Sequence, residues 1–477
     1  MKLRVWQSKC INLAFNKYLN GQKHFLALAT PGAGKTVMAS ELANQMLVNK
    51  HIDLVICFAP ASIVANDFCD SLQLITKERF DGLLGAKGRS LTYQSLQHLD
   101  KTFWQLFTRF RVFVIFDEIH HCAGSNIENA NAWGEQIIRN IKDKATYTLA
   151  LTGTPWRSDT APIVLSNYLY PSNKISCDYI YGLTEAIKDS VCRVPQIVAV
   201  DNNSISIVED EETKTFNSFK SLLSESAVPY QSVIENEAVI KYILSSAQKK
   251  LNNIRLSSPS AAGLIVASSV AHAKNIANIL KTHLNDECAV VTYRESEPTE
   301  IIQRFRHSSS KWIVSVGMIS EGTNIPRLQV CCHLTNIKTE MHFRQILGRI
   351  LRITPSKNQN AIMYMPAQPK LLEYAYRVKQ DVPFEADVVK FDKMKPPIEN
   401  DVTAITSDAV TFGDKKAKHL KPEIHITDPE AHDGVLVSPY FTEQSEPHFL
   451  TQSYEQVVNI FGRFKQEAIS LSLNELK

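Results

Sequence analysis

A glycine-rich segment near the start of the chain places the strongest constraint on its fold. The segment reads Ala-Thr-Pro-Gly-Ala-Gly-Lys-Thr over residues 29–36. An apolar run at residues 25–28 precedes it and predicts a buried strand, and Met38, Leu42 and Met46 follow at helical spacing. A strand, a glycine-rich loop and a helix in this order form a cradle for a polyphosphate, built from backbone N–H groups and the helix dipole. A glycine turn before an ordinary helix is the alternative, and it is disfavoured because all three parts of the pattern agree.

Two side chains of this segment have distinct predicted roles in holding a nucleotide. Lys35 is expected to reach the β- and γ-phosphates, and the hydroxyl of Thr36 is expected to bind Mg²⁺. The segment departs from the general pattern at one position, because Ala29 stands where that pattern opens with glycine. The residues predicted to bind the nucleotide are Thr30, Pro31, Gly32, Ala33, Gly34, Lys35 and Thr36.

Length and composition indicate a protein of several domains. The chain has 477 residues, of which 44% are apolar, and this length suggests two to four domains. No apolar stretch approaches the roughly 20 residues of a membrane span, and the start is too polar for a signal peptide. The nine cysteines are scattered and include no C-x-x-C pair. We therefore expect a cytoplasmic protein with reduced thiols, without a membrane partner, a structural zinc site or a disulfide framework.

Charge is distributed unevenly along the chain. The formal net charge is +3, but residues 369–477 carry 13 basic and 18 acidic side chains, so the preceding residues are mildly basic. A basic body is compatible with a polyanionic partner and equally with an ordinary solvated surface.

A second apolar run ends in two carboxylates. Strand-like runs at residues 54–58, 112–116 and 148–151 alternate with helical segments, which predicts a parallel sheet covered on both faces. Asp117 and Glu118 directly follow the second of these runs, at the carboxyl end of a strand where ligands of open α/β sheets bind. Asp117 can hold Mg²⁺ through water, and Glu118 can orient and deprotonate an attacking water molecule.

Polar residues after these carboxylates and after the next strand admit more than one interpretation. His120, His121 and Cys122 could suggest zinc, but no second pair of ligands lies nearby at metal-binding spacing. Thr152 and Thr154 belong to the segment Thr-Gly-Thr-Pro, and their hydroxyl groups can report the nucleotide state through hydrogen bonds to the preceding motif. A strand-ending turn is the alternative for that segment.

A second alternating pattern of strands and helices begins at Gly263 and contains no phosphate-binding loop of its own. Its residues 345–352 read Gln-Ile-Leu-Gly-Arg-Ile-Leu-Arg, and a helix would place Gln345, Arg349 and Arg352 on one face. A guanidinium group beside a γ-phosphate stabilises the charge of the transition state. For two arginines taken alone, a solvated or DNA-facing surface is the alternative.

The motifs gain specificity from their order along the chain. Together they resemble the motifs of the DExH-box ATPases of helicase superfamily 2. Their residues are similar to those of the branch that contains type III restriction subunits and bacterial DNA-repair translocases. The resemblance covers roughly residues 1 to 368. It rests on Gln7, the loop at 29–36, Asp-Glu-Ile-His at 117–120, Thr-Gly-Thr-Pro at 152–155, Ser-Glu-Gly-Thr-Asn-Ile-Pro at 320–326 and the Gln-Arg-Arg segment at 345–352.

This resemblance implies an α/β fold with two RecA-like domains, each a mostly parallel sheet with helices on both faces, plus a C-terminal extension. The first RecA-like domain would span residues 1–165, and a linker or insert region would follow at residues 166–237. The second RecA-like domain would span residues 238–368, and an extension of unknown role would span residues 369–477.

The resemblance also implies roles for residues outside the phosphate-binding loop. Gln7 would read the adenine, while Gly322 and Asn324 would contact ATP from the second domain. Asn324 stands where many relatives have aspartate, which removes a charge near the ribose. Arg349 and Arg352 would act as arginine fingers. Gln345 would lie beside the attacking water, His120, Thr152 and Thr154 would couple the sites, and the expected nucleic-acid contacts are Pro60, Ser62, Thr92, Gln94, Ser268 and Ser320.

The implied function is an ATP-dependent helicase or translocase that uses ATP and Mg²⁺ and acts on DNA rather than RNA, in repair, restriction or phage defence. Residues 369–477 contain no recognisable nuclease, methyltransferase or zinc motif, so we expect a separate nuclease or sensor subunit to dock there. A nucleic-acid- or partner-gated ATPase that separates no strands is the first alternative. An ATPase unrelated to nucleic acid is the second, and it leaves the face of Gln345, Arg349 and Arg352 unexplained.

Overall fold

A computed structural model of the protein describes residues 2–153, 161–171, 174–209, 212–319, 323–356, 359–380 and 458–470. These residues belong to one compact unit. Most of the predicted C-terminal extension lies outside the described residues. No helix in the described ranges is both long enough and apolar enough to cross a membrane.

The first domain is built on a six-stranded sheet whose strands all run parallel, in the order β3-β2-β4-β5-β1-β8. The strands of this domain are β1 (His24–Ala29), β2 (Leu54–Ala59), β3 (Gly88–Thr92), β4 (Val112–Phe116), β5 (Tyr147–Thr152), the hairpin β6 (Asn167–Leu169) and β7 (Lys174–Ser176), and β8 (Tyr179–Tyr181). Its α-helices are α1 (Val5–Leu19), α2 (Lys35–Val48), α3 (Ser62–Thr76), α4 (Lys101–Trp104), α5 (Leu106–Arg109), α6 (Ala132–Asn140) and α7 (Leu183–Lys188).

Burial along the central strand β4 shows that both faces of this parallel sheet are covered. Every residue of β4 is buried. Phe113 and Ile115 join the core that contains helices α1 to α3, whereas Val114 and Phe116 join a second core with Ile137 of α6. A strand with both faces in apolar cores has a continuous apolar sequence, and the apolar run at residues 112–116 predicted β4 for this reason.

The second domain is built on an eight-stranded sheet with the path β10-β9-β15-β14-β11-β13-β12, and β16 pairs with β9. Its strands are β9 (Pro195–Glu209), β10 (Glu212–Phe216), β11 (Ala262–Ala267), β12 (Cys288–Val291), β13 (Trp312–Ser315), β14 (Leu328–Leu334), β15 (Ala361–Pro366) and β16 (Val458–Ser470). Its helices are α8 (Phe219–Glu225), α9 (Tyr230–Ile234), α10 (Glu237–Ser257), α11 (Val270–Leu284), α12 (Pro298–His307), α13 (Glu340–Ile350) and α14 (Pro369–Gln380).

Parallel pairing dominates this second sheet as well. Strands β9, β15, β14, β11, β13 and β12 run parallel to one another, whereas β10 and β16 pair antiparallel with β9. All residues of β11, β14 and β15 are buried, so both faces of the sheet centre are covered.

Two ranges that the sequence placed outside the second domain contribute strands to it. Strand β9 lies in the predicted linker and pairs with β15, and β16 lies in the predicted extension and pairs with β9 over residues 196–207. Side chains fix β16 in place: the rings of Phe464 and Tyr242 stack with centroids 4.3 Å apart, and Gln466 Nε2 donates to the Tyr242 hydroxyl at 2.8 Å. These pairings join strands far apart in the chain, and local periodicity does not identify a strand's partner.

Arg193, in the connection between α7 and β9, is a buried arginine that ties the second domain together. Its guanidinium donates to the carbonyls of Leu328 and Ile350 at 2.7 and 3.0 Å, and to Thr354 Oγ1 and Gln359 Oε1 at 3.1 Å each. Burial lowers the pKa of Arg193 to about 10, so the group stays charged at neutral pH. One side chain therefore satisfies acceptors on several segments of the second domain.

Replacing Arg193 by Met is expected to destabilise the protein by about 3 kcal/mol, because buried acceptors lose a charged donor that the thioether cannot replace. Thermal unfolding followed by circular dichroism measures this change. Arg304→Met is the matched control, since Arg304 is exposed on α12 and its replacement should leave the midpoint almost unchanged. Equal midpoints for the two variants would contradict the structural role of Arg193.

Candidate nucleotide-binding site

Glycines shape the loop between β1 and α2. Gly32 and Gly34 have φ angles of 85° and 93°, a left-handed backbone that favours glycine. A Cβ atom on Gly34 would lie 2.9 Å from Gln7 Nε2, and one on Gly32 would lie 3.0 Å from Arg352 Cγ. The loop thus has both the backbone and the close surroundings that a phosphate cradle needs.

Lys35 and Glu118 form an ion pair at the carboxyl ends of the first sheet. Lys35 Nζ lies 3.0 Å from Glu118 Oε1 and donates to the carbonyl of Ala29 at 3.1 Å. The backbone N–H of Gly153 donates to Glu118 Oε2 at 2.9 Å. Burial raises the pKa of the Glu118 carboxyl, but the Lys35 ammonium, His120 and the Gly153 N–H outweigh it and hold the pKa well below its usual range. Glu118 is therefore ionised at neutral pH, as a proton acceptor must be.

The backbone of Glu118 is itself unusual. Its φ and ψ angles of 49° and 53° place a residue other than glycine in the left-handed region. Such conformations cost free energy and persist where surrounding structure enforces them, often at functional sites. Here the turn points the carboxylate toward the phosphate-binding loop, in contact with Lys35.

His120 and Thr152 connect the carboxylate segment to the end of β5. His120 Nδ1 lies 2.9 Å from Thr152 Oγ1 and 3.4 Å from Glu118 Oε2, and both His120 and Thr152 are buried. The structure therefore brings together two of the three residues predicted to couple the sites. The third, Thr154, lies outside the described residues.

Asp117 and Thr36 are the predicted magnesium-binding residues. Asp117 follows β4 and is buried, and its carbonyl accepts a hydrogen bond from the Tyr93 hydroxyl at 2.8 Å. Thr36 lies in the first turn of α2. Across the residues that the structure describes, no group of three or more His, Cys, Asp or Glu side chains is arranged to hold a metal ion. Mg²⁺ fits this donor set, because it commonly takes only one or two protein ligands besides phosphate oxygens and water.

Gln7 is buried beside the phosphate-binding loop. Its Nε2 donates to the carbonyl of Gly34 at 2.9 Å, and its Oε1 accepts from the N–H of Arg4 at 2.8 Å. An amide has two N–H groups and two lone pairs, so each end retains capacity to pair with an adenine edge. Arg4, which the sequence reasoning missed, donates through NH1 to the carbonyl of Ala33 at 2.6 Å. Its position three residues before Gln7 is the sequence feature that could have indicated its place beside the loop.

The predicted arginine pair of the second domain lies against this loop. A Cβ atom on Gly348 of α13 would lie 2.7 Å from Pro31 Cβ, so the helix backbone directly contacts the loop. Arg349 NH1 and Arg352 NH1 donate to the carbonyl of Thr323 at 2.9 and 2.8 Å, respectively. Gln345 and Arg349 are both buried on this helix.

Arg352 differs from the predicted helical position. The helix ends at Ile350, and Arg352 forms an antiparallel bridge with Cys192 beyond it. Arg352 NH1 donates to Asn324 Oδ1 at 2.7 Å, so the residue that replaces the usual aspartate contacts an arginine finger candidate. Gly322, the other nucleotide contact expected in that segment, lies outside the described residues.

The nucleic-acid candidates of the first domain come together at adjacent strand ends. Pro60 and Ser62 follow β2, Thr92 ends β3, and Gln94 Nε2 lies 3.5 Å from the carbonyl of Pro60. In the second domain, Ser268 follows β11, and its Oγ lies 3.0 Å from Glu235 Oε1 and 2.8 Å from His272 Nδ1. Ser320 lies outside the described residues.

Comparison with known proteins identifies the same two regions. Residues 1–157 match the family model described as "Type III restriction enzyme, res subunit", and residues 246–354 match "Helicase conserved C-terminal domain". An uncharacterized protein of Mycobacterium tuberculosis, Rv2917, is 29% identical over 395 residues, which cover 78% of this chain and 62% of Rv2917. The matched part therefore spans less than two thirds of that relative.

Two further relatives carry named assignments. The DNA 3'-5' translocase XPB2 of Sulfurisphaera tokodaii is 23% identical over 407 residues, which cover 76% of this chain and 81% of XPB2. A Vibrio vulnificus fragment structure, assigned as an HsdR subunit of a type I restriction enzyme, has a TM-score of 0.55 at 17% identity, covering 78% of this chain and 65% of the fragment. That likeness confirms the α/β fold with two RecA-like domains. Because the two family models match the domains that carry the phosphate-binding loop and the arginine helix, the chain belongs to helicase superfamily 2, in the branch of the type III restriction subunits.

Proposed function

We propose that this protein is an ATP-dependent DNA helicase or translocase that hydrolyses ATP between its two RecA-like domains. One observation carries the proposal: helix α13 of the second domain, with Arg349, packs against the phosphate-binding loop of the first through Gly348 and Pro31. A site assembled from two domains can convert ATP binding and hydrolysis into opening and closing of the cleft.

The residues around the loop fit ATP and Mg²⁺. The backbone of the loop and Lys35 would hold the phosphates, while Thr36 and Asp117 would hold the metal ion. When bound, Mg²⁺ neutralises charge that develops on the phosphate oxygens. Asn324 Oδ1 accepts a hydrogen bond from Arg352 and would help to hold that guanidinium beside the phosphate-binding loop.

Lys35 and Glu118 would separate when a nucleotide binds. Lys35 now compensates the Glu118 carboxylate at 3.0 Å, and the more highly charged phosphates compete for the same ammonium group. Glu118 would remain held by the N–H of Gly153 and free to accept a proton from the attacking water. The ion pair thus gives the site an ionised base before ATP arrives.

Contacts to nucleic acid would come from the adjacent strand ends at Pro60, Ser62, Thr92 and Gln94. Such polar and backbone contacts read the phosphate chain rather than the sequence, and they weaken as salt rises. DNA is favoured over RNA because the similar protein XPB2 is named a DNA translocase. We propose a role in restriction, phage defence or repair, and the match to the type III restriction subunit supports the first of these.

A separate nuclease or sensor subunit is proposed to dock on the C-terminal range. Within residues 369–477, the segment 458–470 is already paired with β9, so docking would use other parts of that range. Co-purification of the full-length protein from its own cells tests this proposal, and full activity of the chain alone would contradict it.

The proposed function predicts ATP hydrolysis that depends on nucleic acid. Steady-state ATPase activity should rise at least several-fold with one form of DNA, and Lys35→Ala should lose this activity because its loop lacks the phosphate-binding ammonium. The measurement compares single-stranded DNA, duplex DNA, forked duplex DNA and RNA, and a forked substrate with a labelled strand separates unwinding from translocation alone. Activity that is indifferent to every nucleic acid would contradict the proposal.

A further inference from the structure

An ion pair joins the two domains beside the nucleotide-binding site. Asp67 lies on α3 of the first domain, and Arg306 lies near the end of α12 of the second domain. Asp67 Oδ1 lies 4.0 Å from Arg306 NH1, and the side chains are 34% and 26% exposed, respectively. The contact connects helices that belong to different sheets, so it forms only when the domains adopt this mutual arrangement.

Helix α3 links this ion pair to the predicted nucleic-acid contacts. The helix begins at Ser62, immediately after the segment at Pro60, and Asp67 lies on its second turn. A displacement at the start of a short rigid helix moves its second turn as well. Nucleic acid bound at the strand ends would therefore change the position of Asp67.

The same carboxylate also acts on an arginine finger candidate. Arg352 interacts electrostatically with Asp67, and its Cγ packs against the position where Gly32 would carry a Cβ. Burial and the nearby Asp70 charge raise the pKa of the Asp67 carboxyl, while Arg306 and Arg352 oppose this effect. A half-buried carboxylate costs solvation free energy, and the facing arginines offset that cost only while the cleft is closed.

We propose that Asp67 is a positioning residue which, through its ion pair with Arg306, couples nucleic-acid binding at the start of α3 to closure of the arginine pair on the phosphate-binding loop. This inference rests on the proposed function and adds how nucleic acid regulates the ATP site. By linkage, nucleic acid lowers the ATP concentration needed for closure, and ATP tightens nucleic-acid binding by the same factor.

The experiment measures KM for ATP with and without single-stranded DNA, or whichever nucleic acid stimulates the wild type. The ratio of KM without DNA to KM with DNA should be about three- to fivefold smaller in Asp67→Asn and in Arg306→Gln than in the wild type. The value of kcat at saturating ATP should change little. The double variant should behave like either single variant, because both remove one interaction. Asp67→Glu keeps the charge and should retain most of the coupling.

A matched control lies on helix α12. Arg304→Gln removes an exposed charge from α12, two residues from Arg306, and its DNA-dependent change in KM should equal that of the wild type. A wild-type KM ratio in Asp67→Asn, with DNA stimulation intact, would overturn the inference while leaving the proposed function standing. An equal loss in Arg304→Gln would also overturn it, because the overall charge of α12 would then be the cause. A wild type that no nucleic acid stimulates would refute the proposed function itself.

Discussion

Replacing Glu118 by Gln is expected to lower ATP turnover by about 10²–10⁴-fold while ATP binding persists. The amide has the size of the carboxylate, and its oxygen can still accept the N–H of Gly153, which now lies 2.9 Å from Glu118 Oε2. It cannot accept a proton from water at neutral pH. Steady-state hydrolysis and equilibrium binding of a fluorescent ATP analogue measure the two properties separately.

The control for this change is Glu135→Gln on α6. Glu135 also pairs with a cation, since its Oε1 accepts from Arg139 Nε at 2.7 Å, but it is a surface residue of an i, i+4 pair. Such pairs contribute little, so turnover and stability should remain close to those of the wild type. If Glu118→Gln hydrolyses ATP normally, Glu118 is not the general base, and another group must deprotonate the water.

The parts of this site that the sequence predicted are local in the chain. The strand, loop and helix around Lys35 follow from apolar runs and two glycines that the turn requires, and all of these signals lie within about 25 residues. Glu118 was predictable for the same reason, because a fully apolar strand leads directly to it. Local periodicity carries such information without knowledge of any distant partner.

The parts that escaped prediction depend on partners far away. Strands β9 and β16 pair across more than 240 residues, and the local sequence of neither strand reveals which partner it joins. The bridge between Cys192 and Arg352 is similar, because it takes Arg352 out of the helix that local spacing extended through it. The ion pair between Asp67 and Arg306 likewise exists only once both domains are folded and in contact.

Replacing Arg352 by Ala is expected to reduce kcat by about 10³-fold or more, which is the usual contribution of an arginine finger to phosphoryl transfer. Burial and the nearby Arg349 charge lower the pKa of Arg352 to about 9, and Asp67 opposes this, so the guanidinium stays protonated at neutral pH. Single-turnover hydrolysis with excess enzyme measures the loss without interference from product release.

Arg352→Lys should remain strongly impaired, because a lysine ammonium lacks the planar fork that donates to Thr323 and Asn324 through NH1 and would contact a phosphate through its other N–H groups. Arg344→Gln is the matched control: Arg344 lies on α13, and its Nε donates to Glu340 on the same helix at 2.9 Å. Its kcat should stay close to that of the wild type. Comparable rates for Arg352→Ala and Arg344→Gln would show that Arg352 does not stabilise the transition state. The contact between α13 and the phosphate-binding loop would then serve domain packing rather than chemistry.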